Sequence, residues 1–498
     1  MIFLVHRHTI NYKMKRQPRL LLLIFIVFTL MAAFSKKVVI PPPPVFPVPT
    51  NRQLAWHEME QYAFVHFTTN TFTDKEWGFG DESESEFNPT AMDVTQWTKT
   101  IKAAGLNGLI LTCKHHDGFC LWPSQYTEHS IKNSPYKKGK GNVVEEVEKA
   151  CRADGLKFGV YLSPWDRNRA DYGSPSYVAY YRNQLKELFL AHVPIFEMWF
   201  DGANGGDGFY GGAKENRKID GKTYYDWGTT LKMVRNMDPN VILFSDAGPD
   251  IRWCGNESGF VQETNWNTIT VDTLYAGKSG IQKLLNTGSE NGKNWIPAEV
   301  DVSIRPGWFY HTKEDALVKT PEQLFNIYLS SVGRGANLIL NIPPDRRGLI
   351  NEIDVASLKA WKKLIDERFK TNLALNGTVL TSSVRGNSPE FNGEKVTDGN
   401  KETYWATNDQ EKSGSFEIDL GKSELITFIL VQEYIKLGQR VKNFTVEIEK
   451  DGKWQEVAKG TTIGYKRILR IKPVATKKVR IAIQDSKACP VISNVEIY

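Results

Sequence analysis

The stretch Phe196-Glu197-Met198-Trp199-Phe200-Asp201-Gly202-Ala203-Asn204-Gly205 decides the fold. Its first half is a short apolar and aromatic run, the pattern of a buried strand, and it breaks at Asp201 into a Gly-rich turn. A carboxylate at the C-terminal end of a buried strand, on a loop opened by glycine, is where α/β barrels place their chemistry. Asp before Gly is also a common turn cap. The rest of the chain has to separate the two readings.

Outward from this segment, short apolar runs alternate with longer amphipathic ones. Strand-like runs fall at 63–69, 108–114, 158–162, 195–200, 241–245, 296–304 and 336–342. Helical periodicity falls at 144–153, 177–191, 227–237, 321–332 and 352–369. Repeated strand–helix units predict an α/β fold, a (β/α)8-like TIM barrel over residues 51–372. The unit between the fifth and sixth strands is blurred, which predicts an irregular barrel. A doubly wound open sheet is the alternative, but no G-x-G-x-x-G opens a helix. Beyond Lys370 the helical period disappears. Residues 373–498 are rich in Thr, Val and Ile, with alternating runs at 416–420, 426–432, 444–449 and 478–483, the pattern of an all-β sandwich.

The N-terminus reads as targeting. Lys15, Arg16 and Arg19 precede the apolar run Leu20 to Phe34, and Ala33-Phe34-Ser35 has the form of a cleavage site. Residues 1–35 are therefore expected to be a signal peptide, and the protein to be exported to the periplasm or secreted. The apolar run is short for a membrane span, so no stable span is expected after cleavage. Residues 36–50, with Pro41 to Pro44 in a row, predict a stiff linker. Five cysteines in no zinc-like spacing leave at least one unpaired. The net charge is +6 with no basic stripe, which argues against a nucleic-acid partner. Aromatic residues reach 12%, with 14 Trp and 19 Tyr, more than an ordinary core needs. Their faces stack on the apolar faces of sugars, so a carbohydrate partner is expected.

Polar residues collect at the strand ends. His66 ends the first, His115 and His116 the second, Tyr161 and Trp165 the third, Asp201 the fourth and Asp246 the fifth, with Glu257 in the loop after it. All would line the C-terminal mouth of a barrel. His115 and His116 are adjacent, and adjacent strand residues point to opposite faces, so together they would chelate one ion poorly. Imidazoles that hydrogen-bond sugar hydroxyls fit better. There is no G-x-S-x-G elbow and no P-loop. Two carboxylates over an aromatic, hydroxyl-binding cleft are the equipment of a glycosidase.

Five motifs in order carry a resemblance: Phe64-Val65-His66-Phe67, Lys75-Glu76-Trp77-Gly78, Thr112-Cys113-Lys114-His115-His116-Asp117-Gly118-Phe119, Trp199-Phe200-Asp201-Gly202, and Gly248-Pro249-Asp250-Ile251-Arg252-Trp253-Cys254-Gly255-Asn256-Glu257. Residues 50–370 resemble the α-L-fucosidase family of retaining glycoside hydrolases. The Gly-Asn-Glu motif, with Val302-Ser303-Ile304-Arg305-Pro306-Gly307-Trp308-Phe309-Tyr310, looks like the subfamily acting on α-1,3/1,4-fucosyl linkages. The resemblance implies Asp201 as nucleophile and Glu257 as acid/base, with Glu299 and Glu263 as rivals for the second role. It also implies His66, Glu76, Trp77, His115, His116, Tyr161 and Trp199 as fucose-binding residues, and no cofactor for catalysis. Trp308 is the candidate to cover the C6 methyl of fucose, with Arg252 and Arg305 placed toward hydroxyls or the leaving sugar.

The sandwich has its own signature, Val396-Thr397-Asp398-Gly399-Asn400 with Thr403-Tyr404-Trp405-Ala406-Thr407 and Phe416-Glu417-Ile418-Asp419-Leu420-Gly421. It resembles the discoidin-like, coagulation-factor C-type module of galactose-binding-like fold. That resemblance suggests a structural calcium ion held by Asp398, Asn400, Thr403 and Glu496. The whole chain is expected to act on fucosylated oligosaccharides or glycoconjugates. A barrel glycosidase of other specificity, and an inactive carbohydrate-binding protein, are the alternatives.

Overall fold

The structure, a computed structural model, describes residues 38–498 and Leu4. But for Leu4, the expected signal peptide lies outside the described residues. Residues 42–498 form one compact unit. Among the described residues no helix is long and apolar enough to cross a membrane.

Eight parallel strands close into a barrel: β1 (Gln61–Val65), β2 (Gly108–Lys114), β3 (Lys157–Leu162), β4 (Glu197–Trp199), β5 (Ile242–Ser245), β6 (Ile251–Trp253), β7 (Ala298–Ser303) and β8 (Asn337–Asn341). Each pairs with its chain neighbours, and β8 returns to β1 with Gln61 opposite Leu338. Side chains alternate between two cores. Tyr62, Phe64, Ile110, Tyr161, Trp199 and Phe244 fill the barrel, while Ala63, Val65, Leu109, Leu111, Val160 and Met198 face the outer helices. Because both faces are covered, strands such as β1, β2, β3 and β5 are near-continuous apolar runs rather than alternating ones.

Two expectations are corrected here. The run expected at 63–69 starts at Gln61 and stops at Val65, and Thr69–Thr73 is a short helix capped by the Thr68 hydroxyl. The blurred unit is a strand without a helix. β6 follows β5 after only Asp246–Asp250 and is three residues long, too short to show as an apolar run. The run at 296–304 is therefore the seventh strand, and Arg305–Tyr310 follow the seventh strand, not the sixth.

The outer helices show why their periodicity was legible. Helix Val143–Asp154 starts at Asn142, whose side chain accepts from Glu145 N, buries Val143, Val144, Val147 and Cys151, and stops at Gly155 with φ of 74°. The last barrel helix is Glu352–Arg368, and the first strand beyond it is Thr378–Thr381.

The second domain is an antiparallel sandwich. Two long strands, Gly414–Glu433 and Arg467–Ser486, pair with register shifts between Asp419 and Glu424 and between Ile426 and Phe428. Such bulges bend a strand and let one sheet fold over its own core, here Val379, Trp405, Phe416, Ile418, Val446, Ile481 and Val495. Phe369 of the barrel packs at a tilt against Phe428 and edge-to-face against Tyr498 of the sandwich. The Pro-rich segment does not stand clear as a spacer at its C-terminal side, because Arg440 donates to Pro43 O at 2.7 Å and Val45 N donates to Leu437 O at 2.9 Å.

Candidate active site

A cavity of about 390 Å³ opens at the C-terminal mouth of the barrel, lined among others by His66, Trp77, His115, His116, Tyr161, Trp199, Asp201, Asp246, Glu257 and Trp308. That volume is within the usual range for small-molecule sites. Asp201 sits two residues beyond β4. Tyr161 Oη donates to its Oδ2 at 2.8 Å, Ala203 N donates to its Oδ1 at 2.7 Å, and His116 Nε2 stands 3.8 Å away. Both oxygens are thus held by donors, which fixes the direction in which the carboxyl faces the cavity. Gly202 is required beside it, since a Cβ there would collide with the Asp246 carboxylate.

The three pocket histidines are neutral hydrogen-bonding groups. Ser163 Oγ donates to Trp165 O at 2.6 Å, so it accepts from His116 Nδ1 at 2.7 Å and leaves His116 Nε2 as an acceptor. Asn341 spends its amide N–H groups on Ser303 Oγ and Trp308 O, so its Oδ1 accepts from His66 Nδ1 at 2.9 Å. Burial pushes His66 down to about 3 and His116 down to about 4, and drives His115 well below the ordinary value. The alternation argument for His115 and His116 fails, because both lie past the end of β2 at Lys114. Their rings are 4.0 Å apart and both line the cavity. A testable consequence is that the affinity of the cavity for a neutral monosaccharide, measured by calorimetry, should stay flat from about pH 7 to about pH 5 and weaken only as the rings protonate near pH 4. A midpoint near 6.5 would show instead that these rings titrate as free histidines.

Glu257 follows β6, and Trp308 Nε1 donates to its Oε2 at 3.2 Å. Burial raises its pKa above the ordinary value, the Trp308 donor works against this, and the charges of Asp201 and Glu76 add to the rise. The rival Glu299 is fully buried inside the barrel and not part of the cavity wall. It accepts from Trp199 Nε1 at 2.8 Å and shares the barrel interior with Glu197 and Tyr62, where burial raises both carboxyls above their ordinary value. Glu263 is not on the cavity wall: its exposed carboxylate lies 3.8 Å from Arg334, and its backbone O accepts from Thr461 Oγ1 at 2.9 Å.

Three expected binding residues stand elsewhere. Arg252 is fully buried and donates to Leu285 O at 2.8 Å, Trp266 O at 3.0 Å and Ile296 O, so its guanidinium ties loops together and cannot reach a sugar. Arg305 is equally buried between Asp354 and Asp315, each at 2.9 Å. The Glu76 carboxylate is not on the cavity wall. It accepts from Trp308 N at 2.8 Å, Phe309 N at 3.2 Å and His311 Nε2 at 2.7 Å.

Sequence reasoning missed Asp301 and Trp253, which also line the cavity. Trp253 Nε1 donates to Asp301 Oδ1 at 2.8 Å, and burial, with the Glu257 charge, raises the Asp301 carboxyl well above its ordinary range. A signal was present: in β7 the polar Glu299, Asp301 and Ser303 alternate with Val300 and Val302, so the polar set shares the inner face.

In the sandwich, Thr403 Oγ1 lies 2.7 Å from Asp398 Oδ2 and 2.9 Å from Asn400 O, so oxygens of three expected calcium residues converge. Glu496 is occupied apart from them, by Asn494 Nδ2 at 2.8 Å and by Tyr498 Oη. Among the described residues no group of three or more His, Cys, Asp and Glu is arranged to hold a metal.

A TIM-type barrel whose mouth gathers an Asp held by two donors, a Glu with raised pKa and a wall of indoles and neutral imidazoles has the equipment of a glycoside hydrolase. The α-L-fucosidase family model matches residues 24–366, and a NedA-like galactose-binding domain model matches residues 395–481. The chain belongs to the α-L-fucosidase family. It is 40% identical to putative alpha-L-fucosidase 1 of Oryza sativa subsp. japonica, over 91% of this chain and 85% of that one. It is 38% identical to alpha-L-fucosidase 1 of Arabidopsis thaliana, over 91% and 88%. Among solved structures it resembles a putative alpha-L-fucosidase from Bacteroides thetaiotaomicron, with TM-score 0.84, 40% identity and 92% and 99% coverage. It also resembles a Ruminococcus gnavus GH29 fucosidase in complex with fucose, with TM-score 0.83, 34% identity and 93% and 97% coverage.

Proposed function

We propose that the protein is an exported retaining exo-α-L-fucosidase that removes α-1,3/1,4-linked fucose from Lewis-type glycans by double displacement. The observation that carries the mechanism is the contrast between two acids on one cavity. Asp201 is held by an O–H and an N–H donor, while Glu257 is raised by burial and by neighbouring charge. The first is suited to attack the anomeric carbon as a carboxylate, and the second to deliver a proton to the leaving oxygen. Once Asp201 is esterified its charge is gone, and Glu257 becomes acidic enough to serve as base toward water. Retention requires the two carboxyl groups to work about 5–5.5 Å apart. His66 and His116 each keep one ring nitrogen free to accept from a sugar hydroxyl, and Trp199 and Trp308 present faces to the apolar side of the ring.

Fucose as the glycone is supported by the family and by the fucose bound to the Ruminococcus gnavus relative. The linkage rests on the Gly255-Asn256-Glu257 and Arg305–Tyr310 motifs, and export on the residues before 36. An aryl α-L-fucoside should be hydrolysed, and a Lewis-type trisaccharide should be cleaved at least tenfold more efficiently than a 2-linked fucoside, about 1.4 kcal/mol in the transition state. Equal or reversed rates would refute the linkage, and no hydrolysis of the aryl fucoside would favour a carbohydrate-binding protein.

The calcium reading belongs to the same proposal. Asp398, Asn400 and Thr403 supply converging hard oxygens of the kind Ca²⁺ takes, though fewer than the 6–8 it usually gathers. The ion would tie this loop and have no part in catalysis. Chelator should lower the thermal midpoint of the full chain by several degrees, and an unchanged midpoint removes the ion.

A further inference from the structure

His311 plays no part in the mechanism above, yet it lies at one end of a continuous set of hydrogen bonds that finishes on the proposed acid/base. Its Nδ1 is 2.6 Å from Asp74 Oδ1 and its Nε2 is 2.7 Å from Glu76 Oε1. Glu76 then accepts the backbone N–H of Trp308 and of Phe309. Trp308 turns its indole N–H to Glu257. The backbone is pressed onto this carboxylate, since a Cβ at Gly307 would collide with Glu76 Oε1.

The charge state of the ring follows from its partners. An ionised carboxylate only accepts, and His311 has one at each nitrogen, so both nitrogens must donate. Only the imidazolium does that. Glu76 faces three donor positions, the N–H groups of Trp308 and Phe309 and the ring of His311, and so only accepts. Asp74 has the guanidinium of Arg346 4.0 Å away, and its hydrogen bond to His311 holds its carboxyl below the ordinary range.

We propose that His311 is a positioning residue: as an imidazolium bridging Asp74 and Glu76, it fixes the 305–311 loop so that Trp308 meets both the sugar cavity and Glu257. The inference rests on Glu257 being the acid/base. Burial pushes the His311 ring down, but the hydrogen bonds to Asp74 and Glu76 and the charges of Glu76 and Glu314 outweigh it and raise its pKa. The other charged groups around it are Lys313 and Arg346, which face Asp74, and Arg305, which donates to His311 O at 3.5 Å and is itself neutralised by Asp354 and Asp315. The protonated ring is therefore in place below the ordinary histidine value of 6.5 and is lost as pH rises through the raised pKa. The buried histidines of the cavity shift the other way, so His311 is set apart from them by its two acidic partners.

The test uses the full chain and two readouts. In a ¹H–¹⁵N titration of the histidine side chains, assigned with His311→Gln, the His311 ring should carry protons on both nitrogens while the bridge is formed and titrate above 6.5. Asp74→Asn, at a half-exposed position, should move that titration to lower pH while the fold persists. The second readout compares kcat for an activated aryl fucoside, which needs little acid assistance, with kcat for an oligosaccharide, which needs much. His311→Gln should lower the oligosaccharide value by tenfold to a hundredfold, on the scale of a misplaced catalytic group, and spare the aryl value. Asp74→Asn should bring that same loss in at a lower pH than in the wild type. A ring that titrates at or below 6.5 overturns the proposal. So does a ratio of the two kcat values that neither variant changes. If Glu257→Ala shows no dependence on leaving group, the acid/base reading has failed instead, and the titration of His311 is unaffected by that result.

Discussion

Replacing Asp201 by alanine is expected to lower kcat on an activated aryl α-L-fucoside by on the order of 10⁴-fold or more, with the fold retained. The magnitude follows from its place in the reaction. In the proposed reaction it supplies the bond that stabilises the oxocarbenium-like centre, and no other carboxyl lining the cavity accepts from both a tyrosine hydroxyl and a backbone N–H. Tyr161 Oη and Ala203 N converge on it, and removing the carboxylate leaves those donors aimed at empty space. Asp201 lies on the barrel rim past β4 and carries no core packing. The variant should therefore match the wild type in circular dichroism and in thermal midpoint to within a few degrees. A folded variant that keeps more than about a tenth of the activity would remove Asp201 from the nucleophile role.

The second large effect belongs to Glu257. Glu257→Ala should cost about 10²–10⁴-fold on substrates with poor leaving groups, such as an oligosaccharide, and far less on an activated aryl fucoside. Azide should partly restore the aryl reaction, because the fucosyl-enzyme can be attacked by an anion that needs no general base. In the wild type, activity on the oligosaccharide should fall as pH rises through the raised Glu257 pKa, since only the protonated acid assists departure. The same fall should be weaker on the aryl fucoside. Glu299→Gln should show neither leaving-group dependence nor azide rescue, because that carboxyl is shut inside the barrel under Trp199.

Much of the architecture was legible because it obeys periodicity. The barrel strands are covered on both faces, so β2, β3, β5 and β8 stand out as apolar runs between amphipathic helices. β6 was not legible. Ile251-Arg252-Trp253 is three residues long, with a charged side chain at its centre, and no helix precedes it. The same strand misled the reading of Arg252. An arginine beside a proposed acid looks like a sugar ligand, but β6 turns it away from the cavity to tie three carbonyls. Arg305 failed for the same reason, since its paired Asp315 and Asp354 lie 10 and 49 residues away and no spacing rule connects them. The wall of the site was more legible, because His66, His116, Tyr161 and Asp201 sit at or just past strand ends, where the fold alone places them at the mouth. Asp301 was readable in principle from the alternation of β7. Whether Glu76 faces a sugar or a loop depends on the path of residues 305–311, and loop paths are set by tertiary contacts that a sequence pattern does not encode.

The central claim is that a covalent bond forms between fucose and Asp201. A fluorinated fucosyl donor, activated at C1 and slowed at C2, should accumulate as an ester on the enzyme, and peptide mass spectrometry should find one added fluorofucosyl group on the peptide containing Asp201. A label on any other carboxylate, or no label while the first sugar released has inverted configuration, would contradict the account.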